Sequence, residues 1–364
     1  MDYILSFIIV LGVLIFFHEF GHFLIARLFG VGVEKFSLGF GPRIIGKTIG
    51  LTEYRISAIP LGGYVKMVGE EPDVELPSED IPLSFTHKSA IKRICIVAAG
   101  PIFNYLLAII IFFGFFQIYG IRVLEPVIGT IEKDSPAQMS GLKKKDRIVE
   151  ISGKRVQKWD DMADIIEPSQ GNIIELTVIR EGTLLVFQAA PIISQSKNLF
   201  GEDIERYIIG ITASGDVMEK ELNPLQALSE SLVHTWNISV LMIKGVYKLI
   251  KGDISADNLG GPIMIAQMAG DQAKEGVENL IYFIAFISIN LAILNFLPIP
   301  VLDGGHILFF TIEALRGKPL SLRAREMAQQ GGMFILLLLM VFVIYNDIMR
   351  LNLDDILHFF NLKG

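Results

Sequence analysis

Four stretches of this chain contain no charged residue: residues 4–17, 94–116, 280–302 and 331–346. That clustering limits the possible folds more than any other feature, because a helix crossing a bilayer needs about 20 mainly apolar residues. A soluble chain of 364 residues that is 51% hydrophobic would spread its apolar side chains periodically instead. The second and third stretches reach the required length unaided. The first does so by running through His18, Glu19 and His22 to about residue 29, the fourth by extending over Ala328 to Asp347. The expected architecture is a multi-pass α-helical membrane protein with four transmembrane helices, at about 4–29, 94–118, 280–303 and 328–348. The opening Met1-Asp2-Tyr3 lacks a basic n-region and no small-residue cleavage site follows it, so the first helix reads as a retained span.

The segments between these spans divide the chain further. Residues 1–124 read as an N-terminal membrane core, with a β region at about 34–68 in which Gly62-Gly63 suggests a hairpin or sharp bend. The Pro-rich stretch 70–82 reads as an exposed acidic loop. Residues 125–194 carry the pattern of a small soluble α+β domain. Ser135-Pro136 starts a short helix that Gly141 can end, Trp159–Ile166 is helical, and two strands flank Glu181-Gly182. Residues 195–279 are expected to form amphipathic helices at the membrane surface, clearest over 221–251, and 280–364 a C-terminal membrane core. The net charge of −7 says little about partners, and no Lys/Arg-rich block suggests nucleic acid. Cys95 is the only cysteine, which excludes an intrachain disulfide or a thiolate metal cluster. Nine basic residues from Arg27 to Arg93, and four from Arg316 to Arg325, place both of those loops inside by the positive-inside rule.

The chemistry is concentrated in His18-Glu19-Phe20-Gly21-His22. On a helix, positions i and i+4 share a face, so both imidazoles can reach one metal ion, and Glu19 can take a proton from a water that the ion activates. Ionisable groups in an apolar span cost roughly 2.5–3.5 kcal/mol each when charged, so three in five residues imply a bound partner. A catalytic zinc site needs a third protein ligand. Asp303 is the candidate: it is the first charge after 23 uncharged residues, and it follows Pro298 and Pro300, which break the third helix. If 221–251 also crossed the bilayer, Asp303 would emerge on the wrong side, which favours four spans. Asn295 is placed to hydrogen-bond the scissile carbonyl or its oxyanion. Asn104, inside the second span, reads equally as an interhelical hydrogen bond or a site residue.

These residues resemble those of bacterial site-2 proteases, especially the regulator-of-sigma-E type. The matching features are HEFGH at 18–22, FSLGFGP at 36–42, YRISAIPLGGYVKM at 54–67, AAGPIFN at 98–104, NLGGPIMIAQ at 258–267 and NFLPIPVLDGGH at 295–306. The resemblance implies an intramembrane zinc metalloprotease with His18, His22 and Asp303 as ligands and Glu19 as base. It implies that 125–194 form an extracytoplasmic PDZ domain. It also implies that 50–68, with Gly62 and Gly63, form a membrane-dipping β-hairpin presenting an extended strand to substrate, and that Asn295 holds the substrate backbone. Substrates would be single-pass membrane proteins, anti-sigma factors or remnant signal peptides. The location would be the bacterial inner membrane, with the active site toward the cytoplasmic half. The chain departs from that type in having room for one PDZ domain, where the regulator-of-sigma-E type has two.

Overall fold

The computed structural model describes residues 3–70, 76–198 and 201–351. In chain order the elements are α1 (Tyr3–Leu28), β1 (Val33–Ile49), β2 (Thr52–Met67), α2 (Ala90–Tyr119), β3 (Ile121–Leu124), β4 (Ile128–Ile131), α3 (Pro136–Ser140), β5 (Arg147–Ile151), β6 (Lys154–Arg155) and α4 (Trp159–Ile166). There follow β7 (Ile174–Arg180), β8 (Thr183–Ala189), β9 (Ile192–Lys197), β10 (Asp203–Ile208), β11 (Ile211–Ala213), β12 (Val217–Lys220), α5 (Pro224–Lys251), α6 (Pro262–Glu275), α7 (Val277–Asn295), α8 (Asp303–Arg316) and α9 (Leu322–Arg350). The chain divides into two compact units, one running to Phe115 and resuming at Leu228, the other spanning Phe116–Ala227.

In the first unit, α1, α2, α7 and α9 are long and apolar enough to cross a membrane, and this is a membrane protein. Helix α9 leaves side chains such as Phe334, Leu338 and Val341 exposed, as lipid contact requires. Helices α1 and α2 cross where side chains are smallest. A Cβ on Gly21 would collide with the backbone carbonyl of Ala99, and one on Gly100 with the imidazoles of His22 and His18. Small residues at such crossings let backbones approach without the hydrophobic effect, which lipid does not supply.

Strands β1 and β2 turn at Gly50-Leu51, and their register is unusual. One flank of β1 pairs from Val33–Met67 to Leu38–Gly63, while its other flank pairs from Lys35–Glu53 to Leu38–Ile56. The first half of β1 therefore lies between the two halves of β2, and Arg43 to Ile49 pair beyond, on Ser57 to Thr52. Gly62 and Gly63 lie inside β2, where the strand passes from one flank of β1 to the other, rather than at the hairpin turn. Val33, Phe36, Val65 and Met67 pack with Ala26, Ile96 and Phe310 in a shared core. Among the described residues no strand pairs with the outer edge of Gly63–Met67.

Helix α7 ends at Asn295, short of the expected residue 303, and Asp303 opens α8. Pro298 and Pro300 carry no N–H to continue α7. Gly304 and Gly305 permit the tight return, since a Cβ on either would strike the backbone of Phe296–Pro300.

The second unit is built on the sheet β6-β5-β7-β8 with α3 and α4. Ile128, Ile148, Ile151, Leu176 and Val178 are fully buried in its core. Ser135 caps α3 by accepting the Gln138 N–H, and Gly141 ends it in the left-handed conformation. Residues 195–223, expected to join a run of amphipathic helices, contain strands instead. β11 pairs with β4 and β12 with β3, so the domain draws its sheet partners from beyond residue 194. The helices of that region begin at Pro224.

Candidate metal centre

Helix α1 carries His18 and His22 one turn apart, and the first turn of α8 carries Asp303. Their three ligand atoms lie within 4.8 Å of one another. His18 Nε2 is 3.2 Å from His22 Nε2 and 3.2 Å from Asp303 Oδ2, and His22 Nε2 is 3.6 Å from Asp303 Oδ1. Tetrahedral zinc with bonds of about 2.0–2.2 Å would place its ligand atoms roughly 3.3–3.6 Å apart. The spacing and the nitrogen–oxygen donor set both fit that ion. Asp303 Oδ2 is buried and accepts no hydrogen bond, a costly state that a cation at this point would relieve.

The ring orientations are fixed from α2. His22 Nδ1 lies 2.9 Å from the Ile96 carbonyl, so it donates there and its Nε2 is left with a lone pair for metal. Asn104 is fully buried, with its amide 3.3 Å from His18 Nδ1 and its Oδ1 otherwise unpaired. With the amide turned so that Oδ1 faces the ring, Asn104 accepts the Nδ1–H and His18 Nε2 is also free to ligate. Ser288 of α7 donates to the Asn104 carbonyl at 2.7 Å. Asn104→Leu is therefore expected to lower zinc affinity by about 10–100-fold in a folded protein. Chelator competition measures this, and an unchanged affinity would reduce Asn104 to a packing residue.

A cavity of about 570 Å³ opens onto this centre. It is lined by His18, Glu19, His22 and Asp303, by Gly63, Tyr64, Val65 and Met67 of β2, and by Arg93, His306 and Arg325. Glu19 is buried and faces the cavity without belonging to the ligand group. Gly63 lets β2 pass against α1, since a Cβ there would press on Ile15 and on Glu19 Cγ. His306 lies on α8 and faces the cavity. Burial holds its imidazole below the ordinary value, opposed by the carboxylate of Asp303. Asn295 and Gly62 do not line the cavity, and Asn104 adjoins His18 rather than the open space. Gly100, Arg93 and Arg325 went unrecognised in the sequence. Gly100 was visible only as part of Ala98–Asn104, and the arginines only as topology markers.

A chain with four membrane-length helices and a two-histidine, one-carboxylate centre, with a glutamate beside it, has the build of a membrane metallohydrolase. The chain belongs to peptidase family M50, the site-2 protease family, whose family model matches residues 6–339. It is 39% identical over 96% of both chains to a protein from Agrobacterium fabrum named "Putative zinc metalloprotease Atu1380". A similarly named Campylobacter jejuni protein is 40% identical over 95% of this chain and 93% of its own, and one from Rhizobium meliloti 37% identical over 94% and 95%. The protein is a zinc metalloprotease.

Proposed function

We propose that this protease cuts single-pass membrane proteins within or at the edge of the bilayer. That is regulated intramembrane proteolysis, with anti-sigma factors or remnant signal peptides as substrates. One observation carries the reading: His18, Glu19 and His22 lie on a membrane-length helix, Asp303 lies just past a broken one, and their cavity is bordered by a strand edge that no other described strand pairs. In this reading His18, His22 and Asp303 hold the zinc, which when bound lowers the pKa of a water toward about 7. Glu19 accepts the proton of that water and delivers it to the departing amine.

A substrate helix hides its peptide carbonyls in its own hydrogen bonds, so it must unwind first. The edge Gly63–Met67 offers replacement backbone partners to an extended chain. Gly63 keeps that chain close to Glu19, Gly62 allows the strand its bend, and Asn295 meets the chain where it leaves along 296–302. Asn104 serves His18 instead of substrate. Residues 125–194, within the unit Phe116–Ala227, form the PDZ domain of this reading on the extracytoplasmic side, and the centre belongs to the cytoplasmic half of a bacterial inner membrane, following the basic loops.

The test is proteolysis of a model single-span substrate in proteoliposomes, with fragment masses measured. Cleavage inside or next to the apolar segment, abolished by chelation and restored by zinc, is expected. Cleavage confined to soluble regions of the substrate would refute it.

A further inference from the structure

Two arginines that line the cavity, Arg93 and Arg325, share one carboxylate, Glu313. Arg93 Nη2 of α2 donates to Glu313 Oε1 of α8 at 2.5 Å, and Arg325 Nη2 of α9 donates to Glu313 Oε2 at 3.3 Å. Both guanidiniums lie over the ring of Phe310, at 4.6 and 5.9 Å from its centroid. The cluster is shielded: the side chains of Arg93, Glu313 and Arg325 are 7%, 15% and 20% exposed. Arg93 is otherwise satisfied, its Nε donating to the Lys88 carbonyl at 3.1 Å. Arg325 is not, because its Nε is buried with no acceptor. Among the described residues Glu313 is the only carboxylate within 4 Å of either guanidinium. Glu19, Glu70, Asp303 and Glu326 line the same cavity outside that range.

A cluster that only fastened α2, α8 and α9 would be balanced, because a buried charge without a partner is costly. This one is a negative charge short, and Arg325, whose Nε is the unfilled donor, lines the cavity that substrate must enter. A guanidinium presents a planar fork matched to a carboxylate. We infer that Arg325, backed by Arg93 and Glu313, forms a carboxylate-binding subsite of the active-site cavity. Its ligand is an Asp or Glu side chain flanking the scissile bond, or the α-carboxylate that hydrolysis creates. The inference rests on the proteolytic reading above and adds a specificity element to it.

The test uses binding, so that it is separable from cleavage. Three fluorescent peptides of one apolar-flank sequence are titrated into zinc-loaded Glu19→Gln protein. The first carries one acidic side chain and an amidated end, the second a free α-carboxylate and no acidic side chain, the third neither. At least one of the first two is expected to bind about tenfold tighter than the third, a step of about 1.4 kcal/mol, and which one identifies the source of the carboxylate. Arg325→Gln should erase that difference without weakening the neutral peptide. Glu313→Gln removes the competing carboxylate and should tighten the acidic peptide, a gain that a merely structural role would not give. Equal weakening of all three peptides by Arg325→Gln, no preference in the parent protein, or weaker acidic-peptide binding in Glu313→Gln would each overturn the subsite. Failure of cleavage in proteoliposomes would sink the proteolytic reading while leaving this comparison readable.

Discussion

Glu19→Gln is expected to lose peptide-bond cleavage by a factor of about 10²–10⁴, the usual contribution of a positioned general base, while zinc stays bound at full stoichiometry. The separation follows from where the side chains lie. His18, His22 and Asp303 form the ligand group, and Glu19 lines the same cavity outside it. Glutamine keeps the size and the polar contacts of glutamate but has no basic oxygen to take a proton from water. His18→Ala with His22→Ala should instead lose metal and activity together, because one carboxylate cannot hold zinc in a catalytic site. Metal analysis beside fragment masses from the single-span assay distinguishes the two losses. Cleavage by the Gln variant within a few-fold of the parent would remove Glu19 from the reaction.

What the sequence made legible was either local or imposed by the membrane. His18-Glu19-x-x-His22 is read from helix geometry alone, and the four spans from runs of uncharged residues that a bilayer demands. Asp303 was legible at long range for a physical reason: two prolines in an apolar span need an explanation, and a carboxylate just after them supplies one. Legibility failed where a partner lies far along the chain. Strands β11 and β12 are three and four residues long, and their identity comes from pairing with β4 and β3 eighty or more residues earlier. The doubled register of β1 is likewise invisible in a pattern that reads as two ordinary strands. Asn104 could be a packing or a site residue until the His18 ring appeared beside it. The missing negative charge at Arg325 exists only once three helices meet.

Gly100→Ala is expected to lose most bound zinc, a large effect for one methyl group. The new Cβ would strike His22 Nε2 and crowd His18 Cε1, on the faces of both rings that must converge. Neither ring can retreat freely. His22 is tied to the Ile96 carbonyl at 2.9 Å, and α1 is held against α2 at Gly21, where the Ala99 carbonyl leaves no room for a side chain. The methyl must therefore part the helices or turn the imidazoles, and either change spoils a ligand set that tolerates only about 0.2 Å of error in bond length. Gly114→Ala on the same helix is the control: nothing lies within 4 Å of its added Cβ. Alanine favours a helix over glycine by about 0.8–1.0 kcal/mol, so that variant should keep its zinc and be no less stable. Metal content and thermal unfolding of the two variants, measured side by side, decide the matter. A Gly100→Ala protein with full zinc would mean that α1 and α2 do not meet at this glycine, and the fit of the ligand set to one ion would have to be sought elsewhere.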